Sequence, residues 1–224
     1  MKKKIQQLAA LFTTTLAIST NATAYSYMNI GGSFLYTFEE NYKINFGTNV
    51  KTLMQSGDHG IGGYISLGSM ADYGAGYELE LGFTKIDDIK NPKQQELLSV
   101  HGPYAFVNYF ALLSKNGALK PYLGIGAGIT RLKMDDTNAD SSIKNEDING
   151  STIMELVIGE KYSNVFVYQG VFGVNFITSS HSMVNIDYRY KTSAKPATFS
   201  KEPDANVEYA YRVHGLNMGI KIIF

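Results

Sequence analysis

The chain of 224 residues contains no cysteine. That excludes a disulfide scaffold, a thiol nucleophile, a zinc finger and an iron–sulfur site. Charge is also scarce, at 18% of residues against roughly 25% in an average soluble domain. The 20 basic and 20 acidic side chains cancel, so no basic field points to a nucleic-acid partner. Proline is rare (5) and tryptophan is missing, whereas glycine (22), tyrosine (16) and phenylalanine (12) are plentiful. With 44% hydrophobic residues the chain is too apolar to stay unfolded. These quantities describe a folded, β-rich protein of unusually low charge.

The first 24 residues read as a leader rather than as part of that fold. Lys2, Lys3 and Lys4 precede an apolar run from Leu8 to Ile18, and Ala22-Thr23-Ala24 supplies a small-x-small cleavage site. The run is too short for a membrane helix, which needs about 20 residues. Cleavage after Ala24 is expected, leaving residues 25–224. The mature part then carries 17 basic and 20 acidic residues, a formal charge of −3. No later stretch offers ~18 uninterrupted apolar residues, so no helical span is expected.

Period-two alternation dominates residues 25–224. Across 28–38, Met28, Ile30, Gly32, Phe34, Tyr36 and Phe38 alternate with Asn29, Gly31, Ser33, Leu35 and Thr37. Tyr77, Leu79, Leu81 and Phe83 alternate with Glu78, Glu80 and Gly82. Val184, Ile186, Tyr188 and Tyr190 alternate with Asn185, Asp187, Arg189 and Lys191. Near the end, Leu216, Met218, Ile220, Ile222 and Phe224 share a face opposite Asn217, Gly219 and Lys221. Four further segments, 61–70, 98–113, 120–134 and 164–177, complete a set of eight. In 98–113 both faces are apolar, and the pattern alone does not choose between them. Turning Asn108 inward also turns Phe106 and Phe110 inward.

Connections between the eight segments alternate in length. Residues 39–60, 87–97, 135–163 and 195–207 form long links, and 71–75, 114–119 and 179–182 form short ones. A soluble β-sandwich has no reason to gather its long loops at one end. A transmembrane barrel does, with short periplasmic turns, long external loops and an even strand count. Asn116-Gly117 is the strongest of the tight-turn signals. The apolar run ending at Phe224 also suits an outer-membrane protein, whose last strand is read by the barrel-assembly machinery. We therefore expect an all-β, eight-stranded antiparallel transmembrane barrel with four longer external loops. An extra hairpin around 150–163, giving ten strands, stays open.

Lys120-Pro121-Tyr122-Leu123-Gly124-Ile125-Gly126-Ala127-Gly128, Tyr168 to Val174, Asn185 to Tyr190 and Gly219 to Phe224 carry a family likeness. Over residues 25–224 the chain resembles the OmpA-like and opacity-protein superfamily of eight-stranded outer-membrane barrels, which includes bacterial surface antigens. The resemblance implies a Gram-negative outer-membrane address, contact with lipid and lipopolysaccharide, and variable external loops that meet a host or matrix protein. Without tryptophan, the interfacial belts must be tyrosine and phenylalanine.

The lumen of such a barrel is just wide enough for side chains to fill it. Its expected charges are Glu78, Glu80, Asp187, Arg189, Lys191 and Lys221, paired into a plugging network. By strand direction, Glu78, Glu80 and Lys221 fall at similar low heights, and Asp187 and Arg189 near the middle. Tyr122, Gly124, Gly126 and Gly128 face inward, the glycines relieving crowding. Lys85 and Arg131 face outward at the external strand ends, where lipopolysaccharide headgroups lie. The candidate binding residues of the loops are Tyr42, Lys43, Phe46, Asp136, Asp140, Ile153 and Leu156.

Catalytic patterns are weak. Paired Glu78 and Glu80 suit acid–base chemistry in type, but a lumenal network accounts for them. His59 and His101 lie in or near external loops, His181-Ser182 in a short turn and His214 on the last strand. No Gly-x-Ser-x-Gly elbow is present. From Asp136 to Asp147 the spacing approaches a calcium loop, yet Ser141 stands where glycine is required and Asp147 where a bidentate glutamate belongs. No metal or cofactor is expected. The leading expectation is a non-enzymatic surface antigen or adhesin. A narrow small-solute pore is the second, and a lipid A-modifying enzyme using His101 or His214 the third.

Overall fold

A computed structural model describes residues 24–37, 40–46, 49–55, 58–90, 96–114, 116–136, 161–202 and 205–224. Side chains are described from residue 25 onwards, outside 38–58, 87–98, 115, 135–161 and 200–207. Twelve strands occur in this order: β1 (Ala24–Thr37), β2 (Glu40–Phe46), β3 (Asn49–Gln55), β4 (Asp58–Ala71), β5 (Ala75–Lys90), β6 (Glu96–Leu112), β7 (Leu119–Asp136), β8 (Lys161–Ser179), β9 (Ser182–Ser193), β10 (Ala197–Glu202), β11 (Ala205–Tyr209) and β12 (Arg212–Ile223).

Eight of them close into a barrel in the order β1-β12-β9-β8-β7-β6-β5-β4. Closure runs through β1, whose Ile30 lies opposite Ile65 on β4 and Ile220 on β12. Every barrel pair is antiparallel, so tight turns suffice at one end. Gly74 (φ 91°) and Gly117 (φ 88°) take the left-handed backbone that these turns demand. The first turn is closed by the Gly74 amide donating to the Ala71 carbonyl at 2.8 Å. In the third, hydroxyls of Ser179 and Ser182 meet at 2.7 Å, and the His181 amide donates to Ser179 Oγ at 3.1 Å.

Alternation sorts the side chains by face. Outward positions carry Ile30, Phe34, Ile65, Leu81, Val107, Leu123, Ile129, Phe172, Met218 and Ile220, all exposed. Ile125 is 68% exposed in mid-strand. A water-facing wall of this composition would be a large aggregation liability; facing hydrocarbon it is the stable arrangement.

The ambiguous sixth segment resolves with Tyr104, Phe106, Asn108 and Phe110 buried inside. The reason lies across the sheet. Phe106, Asn108 and Phe110 pair with Gly128, Gly126 and Gly124 of β7. A Cβ on Gly124 would stand 2.4 Å from the Phe110 ring, and one on Gly126 2.0 Å from Asn108 Oδ1. Large side chains of one strand thus occupy room left by glycines of the next.

Two of the expected long loops are mostly strand. Residues 40–55 and 197–209 build a four-stranded sheet ordered β10-β11-β2-β3. That order repeats the barrel order β9-β12-β1-β4, each barrel strand being followed or preceded by its counterpart. Pro196 helps separate β9 from β10, since it brings no N–H to a ladder. The link expected at 87–97 also shortens, because β5 runs to Lys90 and β6 begins at Glu96. Alternation within short polar strands such as β2 and β3 is weak, which is why their sequence reads as loop.

Candidate functional site: a filled lumen beneath a second sheet

Inside the barrel the side chains form three layers. Nearest the short turns, Tyr27, Met70, Phe110, Tyr122 and Val171 pack together. At the opposite end Leu35, Ile86, Val100, Leu132, Met134 and Val167 pack with Ala197, Phe199, Tyr209 and Tyr211 from the second sheet or its edge. The sheet therefore contributes directly to closing the barrel mouth. It is held there by the Thr198 amide donating to Ser163 Oγ at 3.1 Å.

Between these apolar layers lies the charged one. All six predicted lumenal charges are buried. Arg189 donates through Nη1 to Glu80 Oε2, and through Nε to Asp187 Oδ1 at 2.6 Å. Asp187 also accepts from Tyr122 at 2.8 Å and from Asn185 at 3.1 Å. Glu78 accepts from Tyr27 at 3.0 Å. Asn108 donates to Glu80 at 3.1 Å and accepts from Gln169 at 2.5 Å. These polar side chains thus bond to one another where water is excluded, as a buried polar layer requires.

The lysines are held differently. Lys191 Nζ lies 4.0 Å from the Tyr104 ring centre and 5.3 Å from that of Phe106. Lys221 Nζ lies 5.0 Å from Tyr27, 4.9 Å from Tyr122 and 5.8 Å from Phe110. Ring faces attract cations most strongly where the cation is desolvated. Glu78 and Lys221 remain together, both against Tyr27, while Glu80 is also bonded to Arg189. The six charges are legible in the sequence. Of the rings that hold the two lysines, Tyr122, Phe106 and Phe110 are readable in the sequence as inward residues, whereas Tyr27 and Tyr104 are not singled out there.

Chemically this layer is a bonded plug. Glu78 and Glu80 share Asn108 as donor and reach no open cleft, since their exposures are 2% and 0%. Among the described residues no group of three or more His, Asp or Glu is placed to hold a metal ion. The histidines lie apart from the lumen. His59 stacks on Phe34 and Tyr36, His101 on Phe83, and His214 Nδ1 lies 2.5 Å from the Tyr188 hydroxyl. A groove of ≈ 540 Å³ lies on the outer wall over Gly170, lined by Tyr109, Leu123, Ile125, Phe172 and Tyr190.

Of the expected loop residues, Tyr42, Lys43 and Phe46 fall on β2, paired with Leu53, Thr52 and Asn49 of β3. Asp136 ends β7. Asp140, Ile153 and Leu156 lie outside the described residues, as does the 150–160 stretch considered for a further hairpin.

The closed eight-stranded antiparallel barrel with its apolar exterior defines the class: an outer-membrane-type β-barrel. Solved structures that share this fold include two outer-membrane proteins. The outer membrane protein OprG from Pseudomonas aeruginosa superposes with a TM-score of 0.57 at 15% identity, over 91% of this chain and 98% of that one. Neisserial surface protein A superposes with a TM-score of 0.51 at 14% identity, over 89% of this chain and 97% of that one. The resemblance read from the sequence is thereby borne out for fold. No family model and no curated protein sequence matches the chain.

Proposed function

We propose that this chain is a non-enzymatic surface protein of the Gram-negative outer membrane. A sealed barrel anchors it, and its external sheet and loops contact a ligand or host surface. The observation that carries this reading is the sheet β10-β11-β2-β3, which extends the strand order of the barrel beyond a lumen filled by its own side chains. Binding usually resides on segments raised above a rigid scaffold. Among the chain's structural neighbours, one is by name a surface protein and another an outer membrane protein. The basic leader with its small-x-small site supports export, and the closure of β12 against β1 supports assembly as an outer-membrane barrel.

The test compares bacteria producing the full chain with two variants, one with residues 40–55 replaced by a short turn and one lacking 137–160. Adhesion to host cells and matrix-coated surfaces should fall in at least one variant, while heat-modifiable migration of the barrel persists. Unchanged adhesion in both would remove the adhesin reading.

A further inference from the structure

The outer wall carries a row of basic side chains on adjacent strands. Lys85 of β5 pairs with His101 of β6, and His101 pairs with Lys133 of β7. Arg131 stands two residues before Lys133 on the same face, its guanidinium 4.3 Å above the ring of Tyr162 on β8. The alternating neighbours Thr84, Ile86, Val100, Leu132 and Met134 are buried in the barrel, so this row faces outward. Lys85 and Arg131 are exposed, and His101 and Lys133 partly so.

Position in the membrane gives the row its meaning. One step below it the wall is apolar, with Phe83, Ile129 and Phe166 all exposed. Asp87 and Asp135 follow two residues nearer the external end. These basic side chains therefore stand where hydrocarbon gives way to headgroups. Each of Lys85, His101 and Lys133 already has a contact within the protein, and a phosphate on the row would add a counter-charge to Lys85, Arg131 and Lys133. Below it, the groove over Gly170 begins about six residues down β7 at Ile125, roughly 20 Å along the strand.

We propose that Lys85, His101, Arg131 and Lys133 form a docking site for the phosphorylated headgroup of lipopolysaccharide, whose acyl chains run down the wall towards that groove. The proposal rests on the outer-membrane reading above and adds a defined lipid site to it. Charge complementarity supplies the phosphate contact, and the lateral opening onto an apolar wall favours an amphiphile over a free ion.

Full-length protein is refolded in phosphatidylcholine nanodiscs, and retained lipid is counted by native mass spectrometry. The probes are bisphosphorylated lipid A, the same lipid A with its phosphates removed, and phosphatidylglycerol. Bisphosphorylated lipid A should be retained and the other two should not, and inorganic phosphate should not displace it. Lys85→Gln with Lys133→Gln should weaken retention roughly thirtyfold. Lys85→Arg with Lys133→Arg should keep it, and Lys120→Gln at the other end should change nothing. Equal retention of dephosphorylated lipid A or of phosphatidylglycerol overturns the proposal. So does displacement by phosphate, or a double glutamine variant that binds as the parent does while its heat-modifiable fold is intact. Adhesion is read separately, so its loss or survival does not decide this site.

Discussion

Arg189 on β9 and Glu80 on β5 are bonded across the barrel, 109 positions apart in the chain. In the closed order β1-β12-β9-β8-β7-β6-β5-β4 these strands stand diametrically opposite. The pair is therefore a tie across the lumen, and Asp187, Tyr122, Asn185 and Asn108 fix its two ends.

Removing one partner leaves uncompensated charge in a dry layer. Arg189→Met should lower stability by about 3–5 kcal/mol, read from urea unfolding of the barrel in lipid vesicles. Adding Glu80→Leu should recover part of that loss, because the pair is coupled and an apolar pair of similar volume is often tolerated. Additive losses would mean that the tie does not exist.

The packing of β6 against β7 predicts a second coupling. Gly124→Ala places its methyl 2.4 Å from the Phe110 ring, an overpacking that should cost about 1–3 kcal/mol. Phe110→Leu in the same chain should relieve most of it. Vesicle unfolding again gives the answer.

These two relationships show where the sequence was legible and where it was not. The strands, the short turns at Gly74 and Gly117 and the six lumenal charges follow from period-two alternation and turn chemistry, which are local. Facing in β6 was not local: it depended on Gly124, Gly126 and Gly128 in another strand. The second sheet escaped for a related reason. Segments 40–55 and 197–209 find each other only because β1 and β12 are neighbours in the closed barrel, and no alternation within either segment announces that. The outward basic row was half visible, as Lys85 and Arg131, and became a site only when register added His101 and Lys133.

The exterior has its own test. Ile125 lies near the middle of the apolar wall, and Ile125→Arg should cost about 2–4 kcal/mol in a bilayer. The same substitution should cost far less in a short-chain detergent micelle, where the charged head finds water. Equal tolerance in both would contradict lipid contact at that position.

Apolar layers on both sides of the charged one also bear on conduction. Planar bilayers containing the refolded chain should show no current steps, and Glu80→Gln should leave them without steps. Regular steps whose size shifts on that substitution would replace the closed plug with the narrow-pore reading.

The central claim is that the sheet built from β2, β3, β10 and β11 stands on the cell surface with the short turns on the far side of the membrane. The absence of cysteine makes this directly measurable. Single cysteines are placed at Lys51 on β3 and at Asn116 in the second short turn, and intact cells are treated with a membrane-impermeant maleimide. Lys51→Cys should be labelled on intact cells and Asn116→Cys only after the outer membrane is broken. Labelling of position 116 on intact cells, with position 51 protected, would contradict the account.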